Sequence, residues 1–139
     1  MAIERTIMAI APEIPYRSQS RLRLSLAPHG TLPLAIDGAW WPRSYDVVVE
    51  LPELLAGLPR LWGDITSVTV NGSMWTDPPG RMLVAGQVVR LHRNLTTSLP
   101  HTVVLLAPGR GRWDLSVVPP DTAVEAAAQL MAAAAAGQA

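Results

Sequence analysis

The chain has 139 residues, with eleven arginines against eleven acids and neither lysine nor cysteine. That length suits one domain with a core of its own, burying roughly two-thirds of the surface that its unfolded chain exposes. Without cysteine there is no disulfide, thiolate nucleophile, iron–sulfur cluster or thiolate zinc site, and a net charge of zero gives no general attraction to nucleic acid or anionic lipid.

Residues 1–19 show no sustained period and contain Pro12 and Pro15, so they read as a loosely ordered arm. Glu4 beside Arg5 and the break at Pro12 deny this segment the basic start and long apolar run of a signal peptide. No later window approaches the ~18 apolar residues of a membrane span. A soluble cytoplasmic protein is expected, in which Asn94-Leu95-Thr96 is a chance match to a glycosylation sequon. A single domain occupies residues 20–136, and 137–139 form a frayed tail.

The domain opens on Arg21-Leu22-Arg23-Leu24-Ser25-Leu26, a strand alternation with Leu22, Leu24 and Leu26 on the core side and the two arginines on a solvated face. Ile36-Asp37-Gly38-Ala39-Trp40-Trp41-Pro42-Arg43-Ser44 then turns the chain from strand to helix. Asp37-Gly38 favours a turn, Pro42 biases Trp41 to an extended conformation, and Ser44 is the expected N-cap, with Asp46 near the positive end of the helix dipole. Adjacent extended residues point to opposite sides, so one tryptophan fills the core while the other lies at the surface under Arg43, with Asp37 paired to Arg43.

From Val47 to Trp62 apolar residues recur at three and four, with Asp46, Glu50, Glu53 and Arg60 opposite: an amphipathic helix, kinked or restarted at Pro52. Two strands follow, Ile65 to Trp75 and Arg81 to His92, paired through an odd-length loop at Thr76-Asp77-Pro78-Pro79-Gly80. That register gathers Val68, Val70, Met74, Val84 and Val88 on the apolar face and leaves Asn71, Trp75 and Gln87 on the other. After a polar loop, Thr102–Leu106 and Trp113–Val118 form a hairpin through Pro108-Gly109-Arg110-Gly111. Thr122-Ala123-Val124-Glu125 has capping-box spacing for a last helix to about Ala136, with a thin stripe of Val124, Ala127, Ala128 and Met131. The fold class is therefore α+β, with a mostly antiparallel sheet of about six strands, curled at Gly72 and Gly86, and two helices packed on one face.

The blocks DGAWWPRS at 37–44, ELPELLAGL at 50–58, VVRL at 88–91, HTVVLL at 101–106 and VVPPDT at 117–122 resemble a family of small actinobacterial proteins that form a domain of unknown function. The resemblance spans about residues 20–136. It implies the same fold but supplies no activity, cofactor or catalytic residue.

The best functional reading is a non-catalytic binding or interaction module. Its surface joins Trp40 or Trp41 with Arg43, Asn71, Trp75, Arg90 and His101: Asn71 and Trp75 as a floor, the tryptophan corner as a wall, and Arg43 or Arg90 as the anchor of a small carboxylate or phosphate. A second reading is a hydrolase or isomerase using His101 with Asp37, and a third is a subunit of a complex, or a homodimer, joined through the tryptophan patch. His29, His92 and His101 match no metal-ligand spacing, so neither metal nor cofactor is expected. The carboxylates Asp46, Glu50 and Glu53 read as helix solvation. Arg90 with Arg93 and Arg110 with Arg112 are the only basic spots suited to nucleic acid, against which stands the zero net charge.

Overall fold

A computed structural model describes residues 9–10, 22–28, 36–94 and 101–136. His29 and the tail 137–139 lie outside them, as does the expected N-terminal arm apart from Ala9–Ile10. The elements are β1 (Ala9–Ile10), β2 (Leu24–Leu26), β3 (Gly38–Trp40), α1 (Val47–Ala56), a 3-10 turn (Arg60–Trp62), β4 (Ser67–Asn71), β5 (Arg81–Val84), β6 (Gln87–Asn94), β7 (Thr102–Ala107), β8 (Gly111–Val117) and α2 (Val124–Ala135).

Seven strands carry one mixed sheet in the order β5-β6-β4-β7-β8-β3-β2, and the two-residue β1 adds in parallel at the β5 edge. Four neighbouring pairs are antiparallel: β2–β3, β4–β7, β5–β6 and β7–β8. The pairs β3–β8 and β4–β6 are parallel. The class is α+β with a mostly antiparallel sheet, as the sequence leads one to expect.

Alternation explains which side is buried. Met82, Val84, Val89, Leu91, Val68, Val70, Val103, Leu105, Leu115, Val117 and Trp40 all point to one face, where Val47, Leu51 and Leu54 of α1 close a single core. Leu22, Leu24 and Leu26 pack against it as expected. The helices, however, lie on opposite faces. Ala39, one residue from Trp40 and so pointing the other way, packs with Val118, Ala127 and Ala134, which puts α2 over the β2–β3 end of the outer face. A helix stripe of alanines suits a close approach, and only Ala127 and Ala134, with Met131 beside them, meet the sheet; Val124 and Ala128 remain exposed.

The hairpin expected between the Ile65–Trp75 and Arg81–His92 runs does not form; the two runs meet instead through the parallel pair β4–β6. Arg81–His92 is itself a hairpin, because Ala85 and Gly86 both take positive φ, 51° and 82°, the requirement of a two-residue type I′ turn. The signal was masked by alanine, which adopts that conformation at a cost of roughly 1 kcal/mol. This turn sets Met82 opposite Val89 on the core side and Leu83 opposite Val88 on the outer side, so Val88 faces solvent. Trp75 is buried, and β4 runs beside β6 and β7 instead.

Helix α1 continues through the buried Pro52 and ends at Gly57, whose N–H bonds the carbonyls of Glu53 and Leu54. Leu58 precedes Pro59, which disfavours helical backbone there, so Arg60–Trp62 form a separate 3-10 turn rather than the end of one long helix. The N-cap is Asp46, whose carboxylate accepts from the Val48 N–H at 3.1 Å; Ser44 lies too early and is engaged elsewhere. At α2 the capping box is not made. Ala123 occupies the cap position, and the Thr122 N–H bonds the Pro119 carbonyl.

Candidate functional site

The tryptophan corner is built from both sides of β3. Trp40 is 1% exposed and stacks on Trp75, itself 4% exposed, with ring centroids 5.5 Å apart. Such a pair adds roughly 0.5–1.5 kcal/mol to the burial of each ring. Trp41 turns to the opposite side, half-buried beside Ala39, Val118 and α2, with its Nε1–H buried and without a hydrogen-bond partner among the described residues. The expected division of the two rings between core and surface layer is met.

The cation over Trp41 is Arg23, however, not Arg43. The Arg23 guanidinium lies 3.7 Å from the ring centroid and donates to the carbonyls of Trp41 and Pro42, both at 2.9 Å. Partial burial, followed by the charge of Arg43, holds this guanidinium below its usual pKa, against the opposing pull of Glu50. Glu50 is the other surprise. It is 7% exposed, and its carboxylate accepts from the Arg43 N–H at 3.0 Å and from the Ser44 hydroxyl at 2.7 Å. A buried carboxylate needs such donors, and here they are supplied by the bend that Pro42 imposes just before the helix. Asp37 serves β8: its N–H donates to the Asp114 carbonyl at 2.7 Å and its carboxylate accepts from the Asp114 N–H at 2.9 Å.

The remaining expected site residues separate. Asn71 is buried at the end of β4, accepting from the Ser73 N–H at 2.7 Å. His101 is exposed at the start of β7, and its carbonyl accepts from the Val117 N–H. His101 and Asp37 stand on opposite sides of β8, one tied to Val117 and the other to Asp114. Two strand spacings of about 4.8 Å and three residues of about 3.3 Å keep them beyond hydrogen-bond reach. The wall and floor envisaged from sequence line no surface either, since Trp40 and Trp75 are turned inward and stack on each other in the core.

Among the described residues, no element covers the outer face of the sheet beyond α2. Register places Arg81 opposite Arg90, Arg90 opposite Ser67, Ser67 opposite Leu106 and Leu106 opposite Arg112, one row across five strands. The next row is His92, Thr69, Val104 and Asp114. His92 Nε2 lies 3.0 Å from the Ser67 hydroxyl, so histidine and serine are linked across β6 and β4. Arg112 is engaged by Asp114 through two contacts of 3.0 and 3.2 Å, and this partner raises its pKa. The Arg90 side chain makes no ion pair or hydrogen bond among the described residues.

Of the expected ligand-binding residues, then, Arg90 is the one exposed on this face: Asn71 lies on the same side of β4 but is buried, and Arg112 of the expected basic spots ends the row. Arg81, Ser67 and His92 were missed because their shared row depends on the Ala85-Gly86 turn and on the parallel β4–β6 pair, neither of which the sequence pattern announces. Arg110, expected to share a basic spot with Arg112, folds over Gly63 and donates to the Leu61 carbonyl at 3.2 Å. No group of three metal-ligating side chains occurs among the described residues, and no helix there is long and apolar enough to cross a membrane.

Residues 23–134 match the family model of DUF5994, a family of unknown function. No curated protein and no solved structure matches the chain.

Proposed function

The chain belongs to the DUF5994 family, and from its geometry we propose that it is a non-catalytic binding module that holds an anionic group on the open sheet face, with Arg90 as the anchor. The observation that carries this reading is the register that sets Arg90 between Arg81 on one neighbouring strand and Ser67 on the other. The Arg90 guanidinium offers a forked set of donors matched to carboxylate or phosphate, and the linked Ser67 hydroxyl and His92 ring stand beside it. The DGAWWPRS and VVPPDT blocks favour an actinobacterial origin.

Titration of the labelled protein with inorganic phosphate, followed by amide chemical shifts, tests the reading. Shifts are expected at Arg81, Arg90, Ser67 and His92, and Arg90→Ala is expected to weaken binding roughly tenfold or more, since a charge-assisted contact is worth about 1.5–3 kcal/mol. A titration that leaves these amides unmoved would overturn it.

A second reading, assembly with another protein chain or a second copy, is favoured by Val124 and Leu130, which are 68% and 50% exposed on α2. It no longer draws on Trp40 and Trp75, which are buried. The hydrolase reading loses its support with the separation of His101 from Asp37.

A further inference from the structure

We infer that the partner at the Arg90 face is an acidic polypeptide segment that also carries apolar side chains, rather than a free small anion; this rests on the binding reading above. Three observations carry it. First, the face is open and broad. The row from Arg81 to Arg112 crosses five strands, about 19 Å at the usual strand spacing, with side chains rising from a sheet and, among the described residues, no enclosing wall. Sites for small ligands are concave and cover most of the ligand, whereas flat surfaces of this breadth suit macromolecules.

Second, the arginines are interleaved with exposed apolar residues. Val88 and Leu106 are each 43% exposed, with Val88 two residues from Arg90 on β6 and Leu106 beside Ser67 on β7; Leu83 and Val104 extend the apolar surface. A phosphate bound at Arg90 would leave that surface wet. A chain that alternates acids with apolar residues would pair Arg90 and cover Val88 and Leu106 together, the combination of an arginine anchor and apolar burial typical of protein interfaces.

Third, charge on this face is complementary to acid. Arg90 is unpaired among the described residues, and Asp114, the one acid among the outward side chains of β5, β6, β4, β7 and β8, is already held by Arg112. Nucleic acid would meet the same cation, but it lacks rings to stack on: outside His92 the face has no aromatic side chain among the described residues, and Trp62 and Trp113 are stacked on each other on the core side with centroids 4.4 Å apart.

The test uses the full chain and two kinds of probe: a fluorescein-labelled peptide alternating glutamate and valine, and inorganic phosphate. The peptide is expected to bind and to move the amides of Arg90, Val88 and Leu106. Val88→Ser and Leu106→Ser should each weaken the peptide roughly three- to tenfold, the effect of losing one buried apolar contact, while leaving the phosphate titration unchanged. Arg90→Ala should weaken both probes. Phosphate binding through Arg90 with no binding of the peptide would sink this inference alone, as would a peptide affinity indifferent to both serine variants. An oligothymidylate that outcompetes the peptide on the same residues would replace it with nucleic acid. Loss of both probes would remove the underlying binding reading as well.

Discussion

The tryptophan corner and the outer sheet face contain similar materials, arginine beside apolar or aromatic side chains, but use them oppositely. In the corner nearly every polar group is already spent. Arg23 grips two carbonyls and a ring, Glu50 takes an N–H and a hydroxyl, and Asp37 is bonded to Asp114. On the outer face Arg90 has no such partner among the described residues, and Val88 and Leu106 stand in water. Composition marks both places equally; what separates a structural corner from a binding surface is whether its hydrogen-bonding and apolar capacity is already met within the fold.

That contrast predicts a graded set of effects on stability. Trp40→Ala removes the largest fully buried side chain together with its stack on Trp75 and should cost about 3–5 kcal/mol, read as a lower urea midpoint. Glu50→Gln should follow at about 1–2 kcal/mol, because the amide oxygen can accept from only one of the Arg43 N–H and the Ser44 hydroxyl and both charge-assisted contacts become weaker neutral ones. Arg23→Lys keeps the charge but loses the planar fork that reaches Trp41 O and Pro42 O while covering the ring, for about 1 kcal/mol. Arg90→Ala, by contrast, should leave the midpoint within about 0.5 kcal/mol of the parent. If Arg90→Ala proved as damaging as Glu50→Gln, the outer face would be another structural device and the contrast would be lost.

Much of the fold was legible in the sequence, and most of the site was not. The Thr102–Val118 hairpin, the Leu22-Leu24-Leu26 strand and the opposed tryptophans follow from period-two alternation and turn residues, which act locally. The β5–β6 hairpin was missed because Ala85 occupies a position where glycine or asparagine would have given the turn away. The burial of Glu50 was missed for a different reason: helical periodicity sorts residues by polarity, but the donors that make burial of this carboxylate tolerable come from Arg43 and Ser44, outside the helix. The Arg81–Arg90–Ser67 row depends on a parallel pairing between strands that are not consecutive, and no pattern within either strand encodes its neighbour.

The smallest expected effect concerns Arg112, which shares a register row with Arg90 yet should behave as the corner's arginines do. Its guanidinium is held by both oxygens of Asp114, so its donors toward that side are occupied and its charge is largely balanced locally. It also stands three strands from Arg90, about 14 Å away, beyond the ~8–10 Å over which charges in solution act at physiological salt. Arg112→Ala should therefore change phosphate binding at Arg90 less than about twofold, and Asp114→Asn, which frees the guanidinium, should strengthen it by no more than that in moderate salt. The same pair of variants measured at low ionic strength, where the screening length is about 30 Å, should separate in opposite directions. If Arg112→Ala instead abolished phosphate binding in moderate salt, the anion would have to sit over Leu106 and Arg112 rather than between Arg81 and Arg90, and partner satisfaction would be the wrong criterion for telling the two regions apart.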